Sequence, residues 1–310
     1  MIKKEEIYQN INSEWQISLE LQKKSRYGLA RLINDMCLRN NLNEDISSIA
    51  INLCNYFFIK KCLLNYDKLT LACAAILITT KAYNSTLNFT DIATEYLHYY
   101  KKIFQESFAN SNNYNNEELI KTKEKIGSYE VYLLKTLNFE INIDLPFDYV
   151  YIYCAILYPD NKKDMFDISI KVAHDSFYTY VNNIYSLYTV ALSCIIIAAK
   201  IIELPTLLDK NFDNINNLRR INTIEVRNNE KEFNKRLVNF ENYIVNKNNE
   251  DVKMKDEDDY FDKLSPSEKA HPLVKVDEIL DCIEMINEFY LDMKELCIKN
   301  ENEKKMKKNR

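Results

Sequence analysis

Apolar residues recur every three or four positions along most of the first 200 or so residues, as expected of helices that bury one face. The spacing predicts a first helix near 14–40, with Ser13 and Gln16 forming a capping box at its start. Further helices are expected over about Asp45–Leu64 and Asp67–Tyr83, from Asn88–Asp91 onward, and over about Glu117–Leu137. A polar loop, Asn110–Asn116, separates the last two. The third helix stands apart. From Leu71 to Ile78 it is apolar all round, a pattern suited to a helix enclosed on every side. At Leu145–Pro146 the pattern stops, because proline drives its predecessor out of helical geometry.

Beyond that break the pattern begins again. Ile49–Lys81 aligns without gaps with Ile168–Lys200 at a constant offset of 119, and nine of the 33 positions are identical. The identities include Phe58/Phe177, Tyr66/Tyr185, Thr70/Thr189, Ala72/Ala191 and Lys81/Lys200, all in register with the helical pattern. The chain therefore reads as two related helical units, each with its third helix buried. Small residues such as Ala72, Ala74, Ala75 and Ala191 let neighbouring helices approach that element closely. The apolar run Leu187–Ala199 is 13 residues long, short of the roughly 20 needed to cross a bilayer, and is read as a bundle centre. From about 209 to 262 Asn, Lys, Glu and Asp dominate, which predicts a solvated or disordered insertion. Helical spacing resumes near Val276, with Ile279, Ile283, Ile286 and Tyr290 on one face.

Composition narrows the chemistry. The 310 residues include only two glycines, Gly28 and Gly127, so the clustered glycines of phosphate-cradling loops are absent. The same scarcity argues against an all-β chain with many tight turns. A formal net charge of −5 argues against a nucleic-acid clamp spread over the whole chain. Eight cysteines form no Cys-x-x-Cys pair, so no zinc site is expected, and their apolar surroundings suit thiols in a reducing compartment. The charged start, Met1–Glu6, lacks the apolar core of a secretion signal. His174 and Asp175, near Cys154 and Cys194 in the pattern, find no third group that would complete a catalytic triad. No cofactor and no metal are expected. The lysine-rich end, Lys304–Arg310, reads as a solvated terminus.

Two helical repeats, each with an all-apolar third helix ending in lysine, resemble the tandem boxes of the cyclin family. Leu71–Lys81 resembles the third helix of the first box, and Asp91–Ile92 the pair that opens the fourth. Glu130–Ile141 resembles the fifth helix and its exit, and Asp144–Phe147 the linker into the second box. Arg26 sits where the family has a structural arginine. The resemblance covers about 14–205 and 274–296, and it implies an all-α fold of two five-helix boxes with an amino-terminal helix and a polar insertion before the last helix. In numbers, it implies an arm over 1–20, a first box over 21–143, a second over 144–298 with the insertion at about 209–272, and a basic tail over 299–310.

The resemblance further implies a regulatory subunit that does no chemistry and activates a cyclin-dependent protein kinase. Carried over residue by residue, Lys81 and Glu130 would form a polar clamp on the kinase, with Leu134, Phe139 and Ile141 as apolar contacts. Arg26, Ala72 and Asp91 would be structural. Three features depart from the common pattern. Ala82–Tyr83–Asn84 follows Lys81 in place of acidic residues, Asn55 stands where many members carry an aspartate, and Ser25–Leu29 lacks the substrate-docking patch of cell-cycle cyclins. With its short arm and Pro–Phe linker, the chain is most similar to the transcription-associated K, T, L, C and H groups, which implies a nuclear protein. The alternatives are a cell-cycle cyclin, a transcription factor of the factor-IIB type, and a helical scaffold without a kinase partner. The factor-IIB type would call for a zinc ribbon and basic repeat surfaces, which the sequence lacks.

Overall fold

The computed structural model describes residues 4, 7, 16–83, 85, 87–104, 114–141, 143–158, 161–204, 206 and 275–308. The insertion expected at about 209–272, the loop at 110–113 and Ser13–Trp15 lie outside them. Among the described residues the regular secondary structure is helical throughout. The first repeat holds α1 (Leu19–Arg39), α2 (Glu44–Lys60), α3 (Lys68–Ala82), α4 (Phe89–Phe104) and α5 (Asn116–Thr136). The second holds α6 (Phe147–Leu157), α7 (Lys162–Ser176), the single turn α8 (Val181–Ile184), α9 (Leu187–Ile201) and α10 (Val276–Lys308).

Short polar side chains start the helices. Ser18, Asn43, Asp67, Asn115 and Ser186 each accept a backbone N–H at the N-terminus of α1, α2, α3, α5 and α9. The first helix begins later than its spacing suggested. Ser18 caps it, and Gln16 lies outside with a φ of 55°. One capping box occurs on α5, between Asn115 and Glu118. The last helix runs unbroken through residue 298 to Lys308, so the lysine-rich end continues a helix.

The helix exits explain how a chain with two glycines manages. Asn41, Asn138 and Glu203 take positive φ just past α1, α5 and α9. In each case the next residue's N–H reaches back to a carbonyl five residues earlier: Leu42 to Cys37, Phe139 to Leu134, and Leu204 to Ala199. Both glycines instead lie inside helices, with no positive φ.

Each repeat is built round one enclosed helix. In α3 every residue from Leu69 to Thr80 is buried, and in α9 every residue from Thr189 to Ala199. Ala72 and Ala191 are wholly inaccessible, which lets the surrounding backbones come close. Both ends of α9 lie 119 positions beyond those of α3, as the alignment required.

The two cores are not sealed off from each other. Phe177, from the exit of α7, is fully buried in the core of the first repeat. Around it, Asn55 Nδ2 donates to the carbonyls of Phe177 and Thr179 at 2.8 and 3.1 Å, and Arg26 Nε donates to that of Tyr178 at 3.0 Å. The Arg26 guanidinium also lies over the Tyr180 ring, 4.0 Å from its centroid. Arg26 and Asn55 thus act together on the second repeat, and among the described residues no arginine–carboxylate pair forms there. The last helix packs along α9 and reaches back to α1, where Phe289 meets the Tyr27 ring at 5.2 Å and Tyr27 Oη donates to Asp292.

Candidate functional site

The five residues expected to face a partner gather at the C-terminal ends of α3 and α5. Helix α5 packs against α3, which brings Lys81 Nζ to 2.6 Å from Glu130 Oε1. The lysine side chain is 56% exposed and the glutamate 16%, so the cation stands proud of a shielded carboxylate. The ring of Phe89, first in α4, lies 5.8 Å from the ammonium. An ammonium has three donors and a carboxylate several acceptor sites, so one mutual hydrogen bond leaves both able to bind further groups. Their arrangement is set before any partner arrives.

Apolar surface adjoins the pair. Leu134 lies one turn beyond Glu130 on the same face of α5 and is half-buried. Ile141 is also half-buried, resting on the first core. Phe139 is 65% exposed, and its φ of 62° is rare for an aromatic residue. The Leu134 carbonyl holds it there, accepting the Phe139 N–H at 2.8 Å, so the exit of α5 fixes an outward aromatic ring at a cost in backbone strain. The segment beyond is tied to α3 through Tyr83, whose hydroxyl donates to the Ile143 carbonyl. Tyr83 and Val131, beside Lys81 and Glu130 in the chain, are each about half exposed. The sequence reading had missed both. An aromatic residue in place of the family's acid after Lys81 was the available signal for Tyr83.

The residues expected to be structural lie elsewhere. Ala72 is in the core and Arg26 at the junction of the repeats. Asp91 closes a capping box on α4: its carboxylate accepts the Asn88 N–H while the Asn88 side chain accepts the N–H groups of Thr90 and Asp91.

Groups with reactive potential are turned inward. Cys37, Cys54, Cys62, Cys73, Cys154, Cys194 and Cys282 are buried thiols without disulfides, and burial pushes those of Cys37 and Cys282 up to about 12. His174 does find partners that the sequence did not reveal. Its Nδ1 lies 2.9 Å from Ser48 Oγ and its Nε2 3.2 Å from Glu44. Ser48 is 2% exposed and the Glu44 side chain 70%, so this row joins the two repeats from a buried hydroxyl out to the surface. Among the described residues no group of three or more His, Cys, Asp or Glu is placed to hold a metal ion, and no helix is long and apolar enough to cross a membrane.

Comparison with known proteins bears on the fold. Residues 1–142 match the family model described as the cyclin N-terminal domain. No curated protein matches the chain in sequence. Among solved structures, it superposes on a chain of the yeast RNA Pol II CTD kinase CTDK-1 complex with a TM-score of 0.54 and 12% identity, over 69% of this chain and 66% of that one. A chain of the CAK complex from Chaetomium thermophilum, bound to ATP-gamma-S, gives a TM-score of 0.50 and 11% identity, over 85% of this chain and 62% of that one. The present chain thus spans somewhat less than two thirds of both, and at these identities the likeness is one of fold. Residues 1–142, somewhat under half of the chain, are thus similar to the cyclin N-terminal domain.

Proposed function

We propose that this chain is a cyclin, the non-catalytic regulatory subunit of a cyclin-dependent protein kinase linked to transcription, one that phosphorylates the RNA polymerase II tail in the nucleus. The observation that carries the reading is the preassembled Lys81–Glu130 pair, set among Leu134, Ile141 and the outward-held Phe139 at one end of the first repeat. Such a face suits the end of a partner helix. The charged pair would hydrogen-bond the unsatisfied backbone groups there, and the apolar side chains would cover the helix's flank. A partner that binds only the inward position of the kinase's mobile helix stabilises the catalytic lysine–glutamate pair, and activation follows as a population shift. The transcriptional assignment draws on the two kinase complexes whose chains share this fold.

Affinity purification followed by mass spectrometry should recover a cyclin-dependent kinase. Lys81→Ala and Glu130→Ala should each weaken that association roughly ten- to a hundred-fold, since hydrogen bonds to charged groups contribute about 1.5–3 kcal/mol. Lys200→Ala, the equivalent change in the second repeat, should leave it nearly intact. Equal losses at Lys81 and Lys200, with folding verified by circular dichroism, would refute this docking face. Recovery of promoter DNA without a kinase would favour the factor-IIB alternative.

A further inference from the structure

Just past Lys81 the docking face continues in a residue that brings no charge to it. Tyr83 is the C-cap of α3, and its backbone N–H donates to the Thr79 carbonyl at 3.0 Å. Its hydroxyl reaches across to the stretch after α5 and donates to the Ile143 carbonyl at 3.4 Å, a long bond that steadies the ring without locking it. Backbone and side chain together tie the end of α3 to the segment that carries Phe139 and Ile141. About half of Tyr83 nevertheless stays in water, as does much of Phe139. Single exposed apolar residues are ordinary on a surface; Tyr83 differs in being held at both ends while its ring remains open.

Charge decides what such a ring can meet. Lys81, two residues earlier, holds its ammonium in the open, whereas the Glu130 carboxylate beside it is shielded. A second cation brought to Tyr83 would be repelled by that ammonium, and an anion would be drawn to the ammonium in preference to the ring. An uncharged apolar group is what remains. A steadied tyrosine offers such a group a large contact area at a small cost in side-chain entropy, because its two dihedral angles are already set.

We propose, resting on the kinase-docking reading above, that Tyr83 selects the partner: its ring receives an aliphatic or aromatic side chain of the kinase and disfavours kinases with a basic residue at that place. A lysine or arginine there would stand near the Lys81 ammonium, and neither Ala82 nor Tyr83 supplies a carboxylate to pair it. Lys81 and Glu130 would thus hold the backbone of a partner helix, while Tyr83 distinguishes one kinase from another by a side chain.

The test uses the full chain and the kinase that co-purifies with it, identified by mass spectrometry, then purified and titrated by calorimetry. Tyr83→Ala should weaken binding about tenfold and Tyr83→Glu at least as much, while Tyr83→Phe should stay within about threefold of the unmodified chain. The loss at Tyr83→Ala should be the same at low and high salt, because the contact is apolar, whereas the loss at Lys81→Ala should shrink as salt rises. The variants are expected to fold, since half of the side chain lies in solvent, and melting temperatures verify it. Tyr83→Gln, expected to weaken binding in the same direction, serves if Tyr83→Ala does not fold. Failure to recover a kinase, or full binding by Lys81→Ala, refutes the docking reading and this contact with it. Where the kinase binds and Lys81→Ala weakens it, three results overturn the Tyr83 contact alone. They are unchanged binding by Tyr83→Ala, tighter binding by Tyr83→Glu, which would mean a basic partner group, and a loss at Tyr83→Phe as large as at Tyr83→Ala, which would make the hydroxyl's hold on Ile143 the cause.

Discussion

Lys81 and Lys200 occupy the same place in the two repeats, near the end of an enclosed helix, yet among the described residues only Lys81 is held in an ion pair. Lys81 meets Glu130 from α5 and the Phe89 ring from α4. Lys200 is exposed and has no ion-pair partner among the described residues. The helix starts show what the repeats do share. Asp67 and Ser186, 119 apart, cap α3 and α9, and Thr70 and Thr189 hydrogen-bond those caps in the same way. Central helix and cap are thus common to both, while the packing around them differs: α4 and α5 flank α3, and α10 lies along α9. A docking face needs that surrounding packing, so a duplicated lysine alone does not make one.

The largest effect on this comparison should come from Phe177→Ala, which removes the second repeat's ring from the first repeat's core. A cost of about 3–5 kcal/mol is expected, and the denaturant profile should show the two repeats uncoupling. A single transition with an unchanged midpoint would show that the junction contributes nothing.

The two caps come next. Ser186→Ala should cost about 0.5–2 kcal/mol, the usual range for a lost N-cap. Asp67→Ala should cost more, because Asp67 also holds Lys125. Burial pushes the Asp67 carboxyl up, but hydrogen bonds from Lys125 and Thr70 outweigh it and hold the group below the ordinary aspartate value. Its contribution is therefore present above the unfolded pKa and lost as pH falls through the folded one. Equal midpoint shifts for the two variants at neutral pH would mean that the ion pair adds nothing to the cap.

A smaller effect belongs to the junction histidine. Burial pulls His174 below its ordinary value, against the opposing pull of Glu44 and Asp45. The unfolded chain then takes up a proton that the folded chain resists, so acidification through about pH 6.5 should lower stability. His174→Gln should flatten that slope in thermal melts between about pH 5 and 7. A slope that survives the substitution would assign it to other groups.

The smallest change should be a gain. Gly127 sits inside α5, and a Cβ there meets nothing within 4 Å. Gly127→Ala should stabilise the chain by about 0.5–1 kcal/mol, seen as a raised melting temperature. Any loss would mean that this helix face needs its glycine.

Much of this architecture was legible in the sequence because local rules governed it. An all-apolar run cannot face water, so α3 and α9 had to be the enclosed helices, and their shared offset marked the repeat. Asn, Asp and Ser at helix starts satisfy local N–H groups, although spacing placed the first cap at Ser13 where the structure has Ser18. The lysine-rich composition of residues 304–308 suits solvent, and the backbone there continues α10.

What the tertiary structure alone decided lies between residues far apart in the chain. Asn55 looked like a gap in an expected ion pair, but its two N–H groups fit two carbonyls of a turn some 120 residues later, a match that no local pattern encodes. Phe139 was expected as an apolar contact only through the resemblance, and it is the left-handed exit of α5 that turns it outward. Lys81 and Glu130 likewise became a pair through the packing of α5 on α3. Periodicity records which residues must leave water, and it determined the elements and their enclosed faces. Which distant groups then meet depends on the crossing of helices, and that geometry settled both the junction of the repeats and the candidate docking face.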